Sequence, residues 1–291
     1  MEKFLRIAYF VTAVLSTGEC YCVESSVTDA TEFQLLSWDR SHAGIRLNRE
    51  GLSLTFSDEF DAFNIVPDGG KGLWYAPIHG PFGAGKFAPP TPQGPFFVEG
   101  GVLRIRAEEI GGDWRSGLMQ SVDSHGRGFG QRYGYFEMRA RFPVGKGAWP
   151  AFWLKSQTDY WDKSLTRAEI DIVEWYGGDP KGHHSAVHLW PASKQGRDAV
   201  PLRHVYKSHY YNVSKTLEDG ELRGWHVYGA EVTADSVIVY FDDQEVARFP
   251  TVEEFRRPLY MLVDLAIFRP EALVAQGPKD MFVDYVRVYK R

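Results

Sequence analysis

Residues 167–176 read Arg-Ala-Glu-Ile-Asp-Ile-Val-Glu-Trp-Tyr and place three carboxylates, Glu169, Asp171 and Glu174, close together. Successive side chains of an extended strand point to opposite faces. Glu169 and Asp171 therefore share one face, with Ala168, Ile170 and Ile172 on the other. Glu174 has the wrong parity for the acidic face, and one extra residue, a β-bulge around Val173, restores it; bulges are frequent beside active sites because they re-aim a side chain. Two unit charges about 5.5 Å apart repel by roughly 3 kcal/mol at an effective dielectric of about 20, equivalent to about two pKa units. A solvated acidic strand face is the plain alternative. The chemistry this grouping suits is cleavage of a glycosidic bond: one carboxylate attacks the anomeric carbon while a second, protonated, carboxyl gives its proton to the leaving oxygen. Repulsion keeps one acid protonated beside an ionised one, so both roles coexist near neutral pH, with Asp171 tuning the split.

Such a strand needs a frame and a surface that holds sugar. Leu52, Leu54 and Phe56 alternate, as do Leu103 and Ile105, then Phe136, Met138, Ala140 and Phe142, then Val237 and Val239. In the closing segment Val283, Tyr285, Arg287 and Tyr289 oppose Phe282, Asp284, Val286 and Val288. Period-2 runs separated by Gly, Pro and Asp clusters are strands. Helical periodicity is confined to a short stretch around Thr251–Arg256. With no repeat and no βαβ rhythm, the prediction is an all-β fold, an antiparallel sandwich or jelly roll in one domain. The Gly- and Pro-rich stretch Pro67 to Pro95 is a long rim loop of the kind that carries function. Around the acids, Trp149, Ala151 and Trp153 share one strand face, while Pro150, Phe152 and Leu154 form the opposite, core face. Further on, Ala186, His188 and Trp190 face together opposite Val187 and Leu189. Trp149, Trp153, Trp175 and Trp190 are thus expected to stack on sugar rings. The chain holds 9 Trp, 15 Tyr and 19 Phe, and an aromatic-rich core is the competing use of them.

The remaining features narrow the class of protein. The 291 residues, 44% hydrophobic and 24% charged, describe a globular chain, and a net charge of -5 without a basic block argues against nucleic acid. Lys3 and Arg6 precede an apolar run, Ile7 to Leu15, and the small residues Ser16-Thr17-Gly18. That run is too short to span a bilayer and matches a secretory signal, so residues 1–22 are expected to be a signal peptide and the mature protein to be secreted or periplasmic, with no membrane attachment. Residues 23–48 read as a polar arm and 49–291 as the catalytic domain. Both cysteines, Cys20 and Cys22, fall in the leader, which excludes a disulfide frame, a cysteine nucleophile and thiolate metal sites from the rest. His183, His184 and His188 fit no zinc spacing, and no metal site is expected.

Glu-Ile-Asp-Ile-Val-Glu at 169–174 resembles the signature of glycoside hydrolase family 16, in the bulged, laminarinase-like form. Phe56-Ser57-Asp58-Glu59-Phe60, Tyr133 to Arg139, Gly147 to Leu154 and Val283 to Tyr289 are similar to other motifs of that family, in order, so the resemblance runs from about residue 50 to the end. It implies a concanavalin-like jelly roll with an open concave cleft and a retaining mechanism. Carried over by position, Glu169 is the nucleophile, Glu174 the general acid/base and Asp171 the assisting carboxylate. His188 matches a histidine beside the assisting carboxylate, and a satisfied structural histidine is its alternative. Glu137 and Arg139 match cleft residues that hold sugar hydroxyls, with a cross-strand ion pair as the alternative. The resemblance implies a polysaccharide partner, no cofactor and a monomer, and leaves a structural calcium open. Asp264 stands where the family commonly has Asn, and Phe268-Arg269-Pro270-Glu271 replaces the usual Gly-Gly-Trp, which puts the exact substrate in question. Gln131 to Ala140 is similar to bacterial exopolysaccharide glycanases such as those acting on succinoglycan. The implied activity is endo-acting hydrolysis of β-1,3 or β-1,4 linkages in a β-glucan or glucan-containing exopolysaccharide. A transglycosylase, or a carbohydrate-binding protein on the same fold, are the other readings.

Overall fold

The computed structural model describes residues 44–77, 80, 82–192, 204–213 and 224–291. The expected signal segment and most of the arm lie outside them. Strands dominate: β1 Ser53–Asp58, β2 Ile65–Val66, β3 Trp74–Tyr75, β4 Lys86–Phe87, β5 Phe96–Glu99 and β6 Val102–Ile110 open the domain. Then come β7 Asp113–Ser116, β8 Leu118–Gln120, β9 Gly134–Arg141, β10 Ala148–Ser156, β11 Arg167–Glu174 and β12 Gly182–Trp190. The chain finishes with β13 Val205–Asn212, β14 His226–Val232, β15 Ser236–Phe241, β16 Gln244–Pro250, β17 Leu259–Ile267 and β18 Lys279–Lys290. Short 3₁₀ turns occupy Gln157–Tyr160, Glu253–Arg256 and Arg269–Val274. The second of these is the segment whose periodicity looks helical. Among the described residues no helix is long and apolar enough to cross a membrane.

These strands form two sheets. One runs β16-β15-β14-β9-β18-β6-β7-β4, with β1 added to β18 and β5 to β6; the other runs β13-β12-β11-β10-β17-β8-β3-β2. Non-sequential neighbours make this a jelly roll, and its core lies between the sheets, where Phe136, Met138 and Ala140 of β9 meet Phe152, Leu154, Ile170 and Ile172. Alternation alone predicts this inward set, because it is the only one that removes a continuous apolar layer from water.

Three details differ from simple alternation. All nine residues of β17 are buried, since its outward side is covered as well, by a second cluster containing Leu118, Trp153, Tyr260 and Leu262. In β18 the register shifts between Val283 and Tyr285, so Met281 and Val283 point inward, followed by Val286 and Val288. A bulge at Asp284 breaks the unbroken period 2 expected there. Finally, the described part of the arm already packs: Arg46 bridges Gln244, and Leu47 is buried with Tyr135, Ile238 and Tyr240 on the outer face of the first sheet.

Candidate active site

Both neighbours of β11 register the same irregularity. Against β10, Phe152 pairs with Val173 and Trp153 with Asp171, which leaves Ile172 without an opposite residue. Against β12, Asp171 pairs with Ala186 and Glu174 with His184. Ile172 and Val173 are both fully buried, and Ser185 Oγ donates to the Ile172 carbonyl at 2.8 Å, which satisfies a group the interrupted ladder would strand. The expected bulge is therefore present, and it turns Glu174 onto the outward face that carries Glu169 and Asp171. Carboxylate oxygens of Glu169 and Asp171 and a ring nitrogen of His188 all lie within 4.8 Å of one another.

Each acid has its own surroundings. Glu174 Oε1 accepts two hydrogen bonds, from the Trp149 indole N–H at 3.1 Å and from the Tyr176 hydroxyl at 3.2 Å. A proton on this carboxyl consequently resides on Oε2. Burial, reinforced by the charge of Asp171, pushes Glu174 up to about 8, so it is an acid at neutral pH. Glu169 is also raised, by burial and by Asp171, but Lys155, with Nζ 3.9 Å from Oε2, and His188 oppose that rise. Burial in turn pulls Lys155 below its ordinary value. Asp171 Oδ2 meets His188 Nε2 at 2.9 Å. Burial disfavours a charge on His188, yet the Asp171 hydrogen bond and the three carboxyls overcome it and push the imidazole up to about 9. The environments of Glu174 and Glu169 thus separate a proton donor from a group whose ionised form has cations beside it, which is the division that double-displacement chemistry uses.

A metal could be offered Glu169, Asp171 and His188, but both His188 nitrogens are engaged, Nε2 by Asp171 and Nδ1 by His204 at 2.9 Å. That leaves two carboxylates and no imidazole lone pair. His183 lies elsewhere: it is buried in the core beside Tyr228 and Phe241, where burial pulls it down to about 3, while His184 points outward against Tyr176 and Tyr210.

The expected cleft residues divide. Trp149 borders the acids, half-buried and stacked on Tyr176 with ring centroids 5.6 Å apart. Trp190 lies near Glu169 and stacks on His188 at 5.5 Å. Trp153 shares that face but is covered: Phe82 from the long rim loop meets its ring edge-on at 6.1 Å, and its indole N–H donates to Asp264 Oδ1 at 2.8 Å. Trp175 is not a cleft residue. The strand ends at Glu174, and the chain turns Trp175 into the core, fully buried against Phe142 with its N–H on the Asp179 carbonyl.

Glu137 and Arg139 are also displaced from the expected place. They belong to β9, in the other sheet, on the face pointing away from the core. Glu137 is buried there under Arg49 at 2.8 Å and the Tyr289 hydroxyl at 3.0 Å, and Arg139 pairs with Asp284. Parity shows that they share a polar face, but not which sheet owns it, and the ion-pair alternative is the arrangement found.

Several residues of the site carry no signal in isolation. Tyr176 and Lys155 follow from parity only once the acids are placed. Tyr206 is 55% exposed and stands opposite His188 on β13, and His204 lies just before that strand. Asp264, already marked in the sequence as the departure from the family's usual Asn, is wholly buried within β17; burial, with Glu174 and Asp171 adding to it, raises its carboxyl well above the ordinary range.

A family model for glycosyl hydrolases family 16 matches residues 97–268. The chain is 34% identical over 287 residues to Endo-1,3-1,4-beta-glycanase EglC of Rhizobium meliloti, covering 88% of this chain and 56% of that protein. It is 31% identical over 273 residues to Endo-1,3-1,4-beta-glycanase ExsH of the same organism, covering 84% of this chain and 53% of the relative. It therefore spans about half the length of those two relatives. Among solved structures, the laminarinase catalytic domain of Thermotoga maritima superposes with a TM-score of 0.64 at 24% identity, over 83% of this chain and 99% of that one. SCLam, a non-specific endo-beta-1,3(4)-glucanase, gives 0.66 at 24% identity, over 89% and 98%. Both share the fold described above.

Proposed function

Because the chain belongs to glycosyl hydrolase family 16, we propose that it is a retaining endo-β-glycanase that cuts β-1,3 or β-1,4 linkages of a glucan-containing polysaccharide. The observation that carries this reading is the bulged strand, which gathers Glu169, Asp171 and Glu174 on one face and holds Glu174 protonated at neutral pH. In the first step a Glu169 carboxylate oxygen forms a bond to the anomeric carbon. The glycosidic C–O bond breaks, and the Glu174 proton passes to the leaving oxygen. In the second step Glu174, now a carboxylate, takes a proton from water; that oxygen attacks the anomeric carbon and releases Glu169 as a carboxylate, with configuration retained. Asp171 and His188 place charge beside the reacting carboxyls throughout.

The names of the two Rhizobium meliloti relatives support the 1,3-1,4 linkage class, and the Gln131–Ala140 segment supports an exopolysaccharide of the succinoglycan type as substrate. The basic start and apolar run of residues 3–15 support an exported protein. The test is incubation with laminarin, mixed-linkage glucan and succinoglycan while new reducing ends, polymer length and anomeric configuration are followed. Rapid loss of length with retained configuration is expected on at least one of them. Glu174→Gln should lower kcat by about 10²–10⁴-fold and Glu169→Gln by at least as much. Binding without new reducing ends identifies a carbohydrate-binding protein, and transfer to a second sugar without hydrolysis identifies a transglycosylase. Unchanged activity in either variant refutes the assigned roles.

A further inference from the structure

Behind His188 stands a second imidazole. His188 Nε2 is 2.9 Å from Asp171 Oδ2, and its Nδ1 is 2.9 Å from His204 Nε2. The two rings are inclined by only 6° with centroids 5.1 Å apart, the geometry of an in-plane hydrogen bond. Trp190 lies flat on His204 at 3.6 Å and 3°, and Tyr206 flanks both imidazoles at 15° to His188 and 19° to His204. Stacking thus holds the outer ring in the plane that its hydrogen bond requires.

A bond between two imidazole nitrogens needs one proton and one lone pair. The groups that face His188 are Asp171, Glu169 and Glu174 from β11 and His204 and Tyr206 from the β13 side, with Lys155 of β10 beside Glu169. With Glu174 protonated, Asp171, hydrogen-bonded to His188, and Glu169 still outweigh the single lysine, so His188 is the imidazolium and donates from both nitrogens. His204 must then be the neutral acceptor through Nε2, with its own proton on Nδ1. Consistent with that role, burial and the neighbouring charge of His188 pull His204 down to about 4.

The geometry points to His204 as a positioning residue: as the acceptor behind His188, it keeps His188 charged and aimed at Asp171, in a relay Asp171–His188–His204 that ends at the surface. This rests on the assignment of Glu169, Asp171 and Glu174 as the reacting carboxyls. The hydrogen bond stabilises the charged form of His188, so its removal lowers the pH at which that ring loses its proton.

The experiment separates acceptor from platform. His204→Phe keeps a flat face for Trp190 and has no acceptor; His204→Gln has an amide oxygen and no aromatic face. Ring nitrogen and carbon resonances of His188 are titrated by NMR in the resting protein, and kcat and KM are measured against pH on the most readily cut polysaccharide. A fall of about one pH unit or more in the His188 midpoint is expected for His204→Phe, with kcat down about tenfold and KM within about twofold, and His204→Gln should recover most of both. An unchanged His188 midpoint in His204→Phe, or a Gln variant worse than the Phe variant, overturns the relay and leaves His204 a stacking platform. Because the NMR titration needs no substrate, failure of the glycanase reading and failure of the relay are distinguishable.

Discussion

At the scale of single residues, Glu174 illustrates how a charge pattern becomes a mechanism. A free glutamate is ionised at neutral pH; this one is not, because burial and Asp171 push it up to about 8. Activity that depends on the protonated form should therefore fall as pH rises through about 8. Trp149 acts on the same group. Its N–H donates to Oε1 and favours the carboxylate, so removing it leaves Glu174 still more reluctant to ionise. Trp149→Phe is expected to move the alkaline limb of kcat/KM to higher pH and to lower kcat severalfold, because the carboxylate formed in the first step loses a donor. A pH–rate profile checks both, and a limb that moves down would contradict the hydrogen bond. Phe at this position keeps the ring that stacks on Tyr176, which separates lost donation from lost packing.

At the scale of elements, β17 carries a buried carboxyl in a strand closed on both faces. Asp264 lies opposite Ala151, which itself lies opposite Glu174, so the small Ala151 of β10 stands between two acids on the strands that flank it. Its folded-state pKa lies well above its unfolded value, so the stability tied to it is fully present below the unfolded value and is lost as pH rises through the folded one. Asp264→Asn keeps an oxygen for the Trp153 N–H and cannot ionise. It should match the parent in melting temperature near pH 4 and exceed it increasingly toward alkaline pH. Asp264→Leu removes the acceptor as well and should lie about 1–3 kcal/mol below Asp264→Asn at every pH. Thermal denaturation across pH is the measurement, and a parallel offset for Asp264→Asn would contradict a neutral Asp264.

At the scale of the whole molecule, the two sheets divide the labour. The eight-stranded sheet presents the acids, and the outer face of the ten-stranded sheet is tied to the start of the described chain. There Arg49 bridges Glu137 and Asp243, and Leu47 packs beside Tyr135. Arg49→Met should destabilise the fold by about 1–3 kcal/mol, since it leaves the buried Glu137 carboxyl with the Tyr289 hydroxyl but without its cation, while KM for polysaccharide stays unchanged. A large rise in KM with no loss of stability would return Glu137 to the cleft.

How much was legible follows from the physics of a strand. Parity is a local property, so residue order alone establishes that Glu169 and Asp171 share a face, that Glu174 needs a bulge to join them, and that Phe152 and Ile170 point into a core. Which of two sheets a polar face belongs to depends on strand order, which is non-local; that is why Glu137 and Arg139 share a face as expected and yet lie across the core from the acids. Where a strand ends decides Trp175, and what a loop covers decides Trp153. His204, distant in sequence from Asp171 and His188, has no pattern to announce it. Only the tertiary structure brings these rings and carboxyls within hydrogen-bonding distance, and only there does burial set which of them hold protons.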